Sequence, residues 1–326
     1  MTTVSFPGIG IGEFQIDPVA IRIPIGNGLE IRWYGILIVI GMVLAFSYCA
    51  YRAKQEGISF DDLLDIAIFT IIFAVIGARA YYVLTSLDKY DSFWEMLQIW
   101  NGGLAIYGGI IAGAITIFVV CKVKKFSRNT VIKLFDAVAP AVMIGQIIGR
   151  WGNFCNGEAF GAQMYEGEFL YFIRMGLSSW NTGFETIFVH PTFLYESLWN
   201  LVGFIIIHFL YKKKKFDGQN ALMYLTWYGF GRMFIEGLRT DSLYVGPFRI
   251  SQVVGFFCFV GFGIMLVIGL VKAHRKAKDN EEYSLSYAKI SRPTSVFNTE
   301  GMEVEETDEK ENGNAEEDNG TDEKGE

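Results

Sequence analysis

Residues 31–51 read IRWYGILIVIGMVLAFSYCAY, twenty-one residues in which Arg32 is the only charge. Coiled as a helix rising about 1.5 Å per residue, this stretch spans about 30 Å, the thickness of a bilayer's hydrocarbon core. Six further stretches qualify as crossings: Leu63–Leu84, Gly102–Val120, Leu134–Phe154, His190–Tyr211, Asn220–Leu238 and Ile250–Val271. The third is rich in glycine; the sixth is short and contains Arg232 and Glu236. The expected fold is an all-α polytopic membrane protein of seven transmembrane helices. Composition agrees, since 51% of residues are hydrophobic and only 19% charged, against about 25% charged in soluble domains.

The net charge of −7 is unevenly placed. Residues 279–326 hold 16 acidic and 4 basic residues, so the preceding 278 carry a net +5. That acidic end lacks apolar periodicity and is expected to be a disordered tail, because it cannot bury enough surface to offset its ordering entropy. The remaining organisation is a 1–30 extracytoplasmic segment and a 31–278 membrane domain, with 155–189 as a long loop. Segments of that length suit a small cap over the membrane body. Cys49, Cys121, Cys155 and Cys258 are scattered without metal-ligand spacing, and the first thirty residues lack the pattern of a cleaved signal. No metal, cofactor or nucleic-acid partner is expected.

Basic residues set the expected orientation. Connections after spans one, three, five and seven carry fifteen Lys and Arg, among them Arg52 and Lys212–Lys215. The opposite side carries five: Arg22, Lys89, Arg174, Arg239 and Arg249. Because positively charged loops stay cytoplasmic, the N terminus is expected outside and the acidic tail inside. Arg32, Arg79, Arg150, Arg232 and Arg239 then fall at outer-leaflet depth, with Glu158, Glu196 and Glu236 at similar depth. Charges there are costly unless paired or facing a wet cavity, and guanidinium forks match phosphate geometry. The expectation is an outward-facing anion pocket, against a bland alternative of snorkelling and structural ion pairs.

Four segments supply its chemistry. GQIIGRWGNFCNGEAFG, Gly145–Gly161, sets Arg150 among glycines and adds Asn153, Asn156 and Glu158 within nine residues. In RMFIEGLR, positions 232, 236 and 239 share one helix face, so Glu236 is expected to fix the rotamers of Arg232 and Arg239. HPTFLYES, His190–Ser197, brings His190, Tyr195 and Glu196 to the outer start of span five, and NGGLAIYGG, Asn101–Gly109, presents Tyr107 among glycines. Cys155 reads as packing rather than as a nucleophile.

Together these segments resemble the prolipoprotein diacylglyceryl transferase family. The match is carried by GRxGNFxNxExFG around Arg150, by HPTxLYES, by RxxxExxR, and by IRWYG at the start of span one with Tyr34. It covers roughly Ile31–Val271 and leaves out the tail. The resemblance implies a transferase at the outer face of the bacterial plasma membrane. It would move diacylglyceryl from phosphatidylglycerol to the lipobox cysteine at the end of a prolipoprotein signal peptide, with membrane lipids as its surroundings. It further implies that Arg150 binds the lipid phosphate and that Arg232, Glu236, Arg239 and Glu158 belong to the site, with Arg239, Glu236, Tyr107 and Glu158 as catalytic candidates. Asn153, Asn156, Tyr34, His190, Tyr195 and Glu196 complete the lipid-binding set. One large group of the family carries His in a GGxxxHGG turn where this chain has Tyr107, so a mechanism built on that imidazole does not transfer. The proton acceptor is left open among Tyr107, Glu158, His190 and the departing phosphate.

Two other classes compete. A transporter of anions or lipids predicts charges at several depths, and a structural membrane protein predicts polar residues that only join helices. Neither accounts for four polar clusters meeting at one leaflet.

Overall fold

The computed structural model describes residues 1–24, 29–99 and 102–279; Asn101 and the acidic tail beyond Asp279 lie outside them. Strands β1 (Thr2–Phe6), β2 (Ile11–Ile16), β3 (Val19–Ile23) and β4 (Leu29–Arg32) precede α1 (Trp33–Gln55) and α2 (Phe60–Leu84). A short α3 (Phe93–Leu97) leads to α4 (Ile106–Val123) and α5 (Arg128–Asn156), followed by β5 (Met175–Ser178) and β6 (Ile187–Val189). Then come α6 (Thr192–Leu210), α7 (Gln219–Leu238), the hairpin β7 (Tyr244–Val245) and β8 (Phe248–Arg249), and α8 (Ile250–Asp279). Among the described residues, six helices are long and apolar enough to cross a membrane: α1, α2, α4, α5, α6 and α8. Helix α7, which begins with Gln219 and Asn220 and holds Arg232 and Glu236, is not among them.

The cap carries a β-sheet that the all-α expectation omitted. Its order is β2-β1-β5-β6, all antiparallel, so the first residues of the chain pair with the loop after α5. In β1, Val4 and Phe6 alternate onto one face and pack with Met175, Leu177, Val189 and Phe193, while Ser5 between them is buried on the other face, as suits a strand inside the sheet. Phe154 from the end of α5 and Leu194 from the start of α6 join the same cluster. The cap core is therefore continuous with the ends of the two helices that carry Arg150 and Glu196.

Helix α5 runs 29 residues, from a Ser127 cap whose hydroxyl accepts the Thr130 N–H to Gly157, whose φ of 62° turns the chain sharply toward the cap. Trp199 of α6 and Trp227 of α7 stack at 4.2 Å between ring centroids. Each indole N–H also donates to the other residue's carbonyl, at 3.1 and 2.9 Å. This clasp fixes the register of α6 against α7 one turn from Glu196 and Arg232. Bonds of this kind satisfy groups that find no water within a bilayer.

The opposite end is locked by charge. Lys214 has a fully inaccessible side chain paired with Glu56 at 2.7 Å, Asp136 at 3.1 Å and Asp217 at 3.2 Å. Asp136, on α5, also accepts the backbone N–H groups of Gly218 and Ala221, capping the start of α7. Arg52 is 2% exposed, bonds Tyr48, Gln55 and His208, and stacks 4.2 Å from the Tyr211 ring. Two of the basic residues counted for orientation are thus interior ties between α1, α5 and the α6–α7 turn. Removing one partner of a buried ionic group typically costs about 3–5 kcal/mol. Lys214→Ala, which strands Glu56 and Asp136, is expected to lower the Tm of the detergent-solubilised protein by on the order of 10 °C; an unchanged Tm would show that the cluster holds nothing.

Candidate active site

Glu196 lies in the first turns of α6, where the α6–α7 clasp and the cap core enclose it. Its side chain is 3% exposed and is shared by three arginines. Arg150 reaches one carboxylate oxygen at 2.5 Å from α5; Arg232 and Arg239 reach the other, at 2.9 and 3.2 Å. Arg232 makes a second ion pair at 2.5 Å with Glu236, one turn along α7. A carboxylate buried this deeply is stable only with full compensation, and the three guanidinium groups supply it. In turn, the shared carboxylate draws together three cations that would otherwise repel one another.

Helix α7 ends at Leu238, and Arg239 caps it with a helix-like φ of −80° and an extended ψ of 146°. As the 232–239 spacing predicts, Arg232 and Arg239 reach the same side, where they meet on one Glu196 oxygen. Arg239 also pairs with Asp241. Its Nε and Nη2 donate to the two Asp241 oxygens at 2.9 and 2.7 Å. Partial burial pushes the Asp241 carboxyl up, but hydrogen bonds and charge from Arg239 outweigh it and hold the group below its ordinary range. Asp241 was missed in the sequence because the motif ends two residues earlier; an acid at i+2 from an arginine just past a helix end was the available signal.

The stretch around Arg150 folds as a polar relay. Arg150 Nη1 donates to Asn153 Oδ1 at 3.3 Å, and the Asn153 and Asn156 amides donate to one oxygen of Glu158 at 3.2 and 3.1 Å. Glu158 thus orients Arg150 through Asn153. The Tyr34 ring lies against Gly152 so closely that a Cβ there would sit 2.6 Å from it, so glycine is required for α1 to pass α5 at this level. After Glu158, the N–H of Gly161 bonds the carbonyl of His190, and that of Ala162 the carbonyl of Leu238. One loop is stitched to the start of α6 and the end of α7. His190 Nδ1 faces the Tyr195 hydroxyl at 3.3 Å, and burial pushes its pKa down, favouring neutral imidazole.

Not every candidate joins this network. Arg79 donates to the carbonyls of Glu95, Met96, Gly102 and Gly103, so it holds the α2–α4 connection in place. Arg32 is exposed at the start of α1. The expected five-arginine pocket is therefore a three-arginine site, because the carbonyls at the end of α3 and of the Gly102–Gly103 turn satisfy Arg79. Tyr107 meets Ser251 of α8 at 3.4 Å, outside the ionic cluster. Elsewhere on α7 and α8, with the β7–β8 hairpin, lies an open groove of about 600 Å³ lined by Met233, Phe248, Arg249, Gln252, Val253 and Phe256, whose Arg249 donates to the Glu236 carbonyl at 2.8 Å.

Helices long and apolar enough to cross a membrane, with three arginines gathered on one buried carboxylate where the cap meets the helix ends, define a multi-pass membrane protein with a charged site at one end of its helices. A model of the prolipoprotein diacylglyceryl transferase family matches residues 18–268. The chain is 41% identical to phosphatidylglycerol–prolipoprotein diacylglyceryl transferase 1 of Clostridium perfringens over 81% of its own length and 98% of that protein's. It is 43% identical to the Finegoldia magna phosphatidylglycerol–prolipoprotein diacylglyceryl transferase over 74% and 92% of the two chains. For the Streptococcus sanguinis protein of the same name, identity is 44% over 77% and 95%. The chain belongs to the prolipoprotein diacylglyceryl transferase family.

Glu196→Gln keeps the shape of the side chain but removes the charge that three arginines share. It is expected to lower activity by roughly 100-fold, the scale of loss when a donor aimed at developing charge is no longer held in place. Activity within a few-fold of wild type would show that the arginines hold their positions without it.

Proposed function

We propose that this chain transfers the diacylglyceryl group of phosphatidylglycerol to a prolipoprotein cysteine, with Arg150 and Arg239 holding the lipid phosphate. The carrying observation is that two helices and the turn after one of them present three guanidinium groups to a single buried carboxylate. Forks arranged in this way pair naturally with phosphate oxygens.

In the reaction, the cysteine sulfur attacks the glycerol carbon that bears the phosphate ester. A C–S bond forms, the C–O bond breaks with its electron pair going to oxygen, and glycerol phosphate leaves. Negative charge grows on that oxygen, and fixed cations aimed at it lower the barrier in a water-poor site. Arg150 and Arg239 take that role; Arg232, anchored by both Glu196 and Glu236, and Glu236 itself set their placement. Asn153 and Asn156 keep Glu158 pointed at this end of α5, and we assign Glu158 the thiol proton. An ordinary thiol has a pKa of about 8.5 and reacts as the thiolate; the guanidinium groups nearby stabilise that thiolate, and Glu158 takes the released proton. Tyr107, bonded to Ser251, stands apart and is given no proton-transfer step. Tyr34, His190 and Tyr195 line the lipid side, and the apolar groove along α7 and α8 suits an acyl chain.

We place seven crossings in the membrane, with α7 as the seventh. Its neighbours α5, α6 and α8 surround its charged residues, which favours a span lined by protein rather than lipid. The N terminus lies outside and the C terminus in the cytoplasm of a bacterial plasma membrane, and the site faces the outer leaflet. The lysine- and arginine-rich connections support this orientation, and the acceptor is a lipobox cysteine at the end of an apolar signal peptide.

The test is a mass spectrum of a synthetic lipobox peptide incubated with purified protein and phosphatidylglycerol. Wild type is expected to add a diacylglyceryl mass to the cysteine. Arg150→Ala and Arg239→Ala are each expected to slow this by roughly 10²–10³-fold while remaining folded. Undiminished rates in both variants would remove the phosphate from these residues.

A further inference from the structure

The Arg239 guanidinium is already occupied by the chain itself. Its Nε and Nη2 grip both oxygens of Asp241, and its Nη1 is spent on Glu196. A side-on, two-oxygen grip is also how a guanidinium takes a phosphodiester. The charge count agrees: the three guanidiniums of Arg150, Arg232 and Arg239 stand against three carboxylates, Glu196, Glu236 and Asp241. Adding one more anion leaves the cluster with unbalanced negative charge, whereas exchanging Asp241 for a phosphodiester keeps the balance.

Of the three carboxylates, Asp241 is the one free to leave. Glu196 and Glu236 are 3% exposed on helices, while Asp241 is 48% exposed on a connection. Arg249 anchors the far end of this connection, donating to the Glu236 carbonyl at 2.8 Å and the Tyr244 hydroxyl at 2.7 Å; the short segment around Asp241 has longer bonds, Thr240 to the Phe160 carbonyl at 3.3 Å and Ser242 to the Glu236 carbonyl at 3.4 Å. It continues into the β7–β8 hairpin, whose Leu243, Tyr244, Val245 and Phe248 are all more than half exposed and which borders the apolar groove. Segments with few buried contacts open at low cost.

We infer that Asp241 is a built-in stand-in for the lipid phosphate, and that the 240–249 strap must release Arg239 before the anionic headgroup is gripped. This rests on the diacylglyceryl transfer proposed above. The carboxylate keeps Arg239 paired and in position while the site is empty, and it competes with phosphate for the same two donors. Apparent affinity for the lipid is then reduced by the fraction of time the strap is closed.

The experiment compares wild type with Asp241→Asn, Asp241→Ala and Asp241→Glu as full-length protein in phosphatidylglycerol-doped micelles. It reads KM and kcat/KM for the lipid and competitive inhibition by glycerol phosphate. For a half-exposed ion pair the expected effect of Asp241→Asn and Asp241→Ala is a fall in KM of about three- to tenfold. Glycerol phosphate should inhibit these variants more tightly, and Asp241→Glu should stay near wild type. A raised KM, a lowered kcat/KM or an unchanged KM overturns the inference; the first two would mean that Asp241 orients Arg239 for the phosphate instead of competing with it. If wild type transfers no diacylglyceryl group, the underlying reading fails separately. Retention of phosphatidylglycerol in native mass spectra then decides the strap: greater retention by Asp241→Asn than by wild type upholds it, and equal retention overturns it.

Discussion

Three arginines do not assemble in a low-dielectric region on their own, because like charges at close range repel and each has lost its water. Glu196 makes the assembly possible. One nearly inaccessible carboxylate takes Arg150 from α5, Arg232 from α7 and Arg239 from the turn after α7. Much of the surrounding structure serves to place it. The paired Trp199 and Trp227 fix α6 against α7, and the cap core reaches down through Phe154 and Phe193 to hold the helix ends. Hydrogen bonds from the Gly161–Ala162 backbone then tie the signature loop to both α6 and α7.

The molecule has a second charged interior at its other end, built on a different principle. Around Lys214 the carboxylates outnumber the lysine, and they are satisfied by backbone N–H groups and a tyrosine hydroxyl as well as by charge. That network closes on itself and joins helix ends. The Glu196 cluster instead ends on an exposed connection, where the half-exposed Asp241 pairs with Arg239. Burial of charge is common to both; access distinguishes a site from a lock.

Much of the fold was legible in the sequence because span length and apolarity report directly on crossing a bilayer. The Arg150, Asn153, Asn156 and Glu158 grouping was legible too, since these residues are close along one helix end. What could not be read was tertiary. Glu196 looked like one more polar residue in HPTFLYES, and only the packing of α6 against α5 and α7 makes it the shared partner. Arg79 looked like Arg150, yet it is consumed by backbone carbonyls. The i, i+7 spacing of Arg232 and Arg239 predicted one face, and both reach one oxygen, but that oxygen belongs to Glu196 on α6, which the strip itself does not announce. Strands β1 and β5 lie more than 160 residues apart, a pairing that no local pattern announces. Arg52 and Lys214 counted only as basic residues of the connections, because composition cannot separate a solvated basic loop from a buried tie.

The most direct measurement is a structure of the protein in a lipid nanodisc with phosphatidylglycerol bound. The account predicts phosphate density within hydrogen-bonding distance of the Arg150 and Arg239 guanidiniums, with Glu196 still joining them. A lipid phosphate resolved elsewhere, at Arg79 or Arg32, with the Glu196 cluster intact and empty, would contradict it.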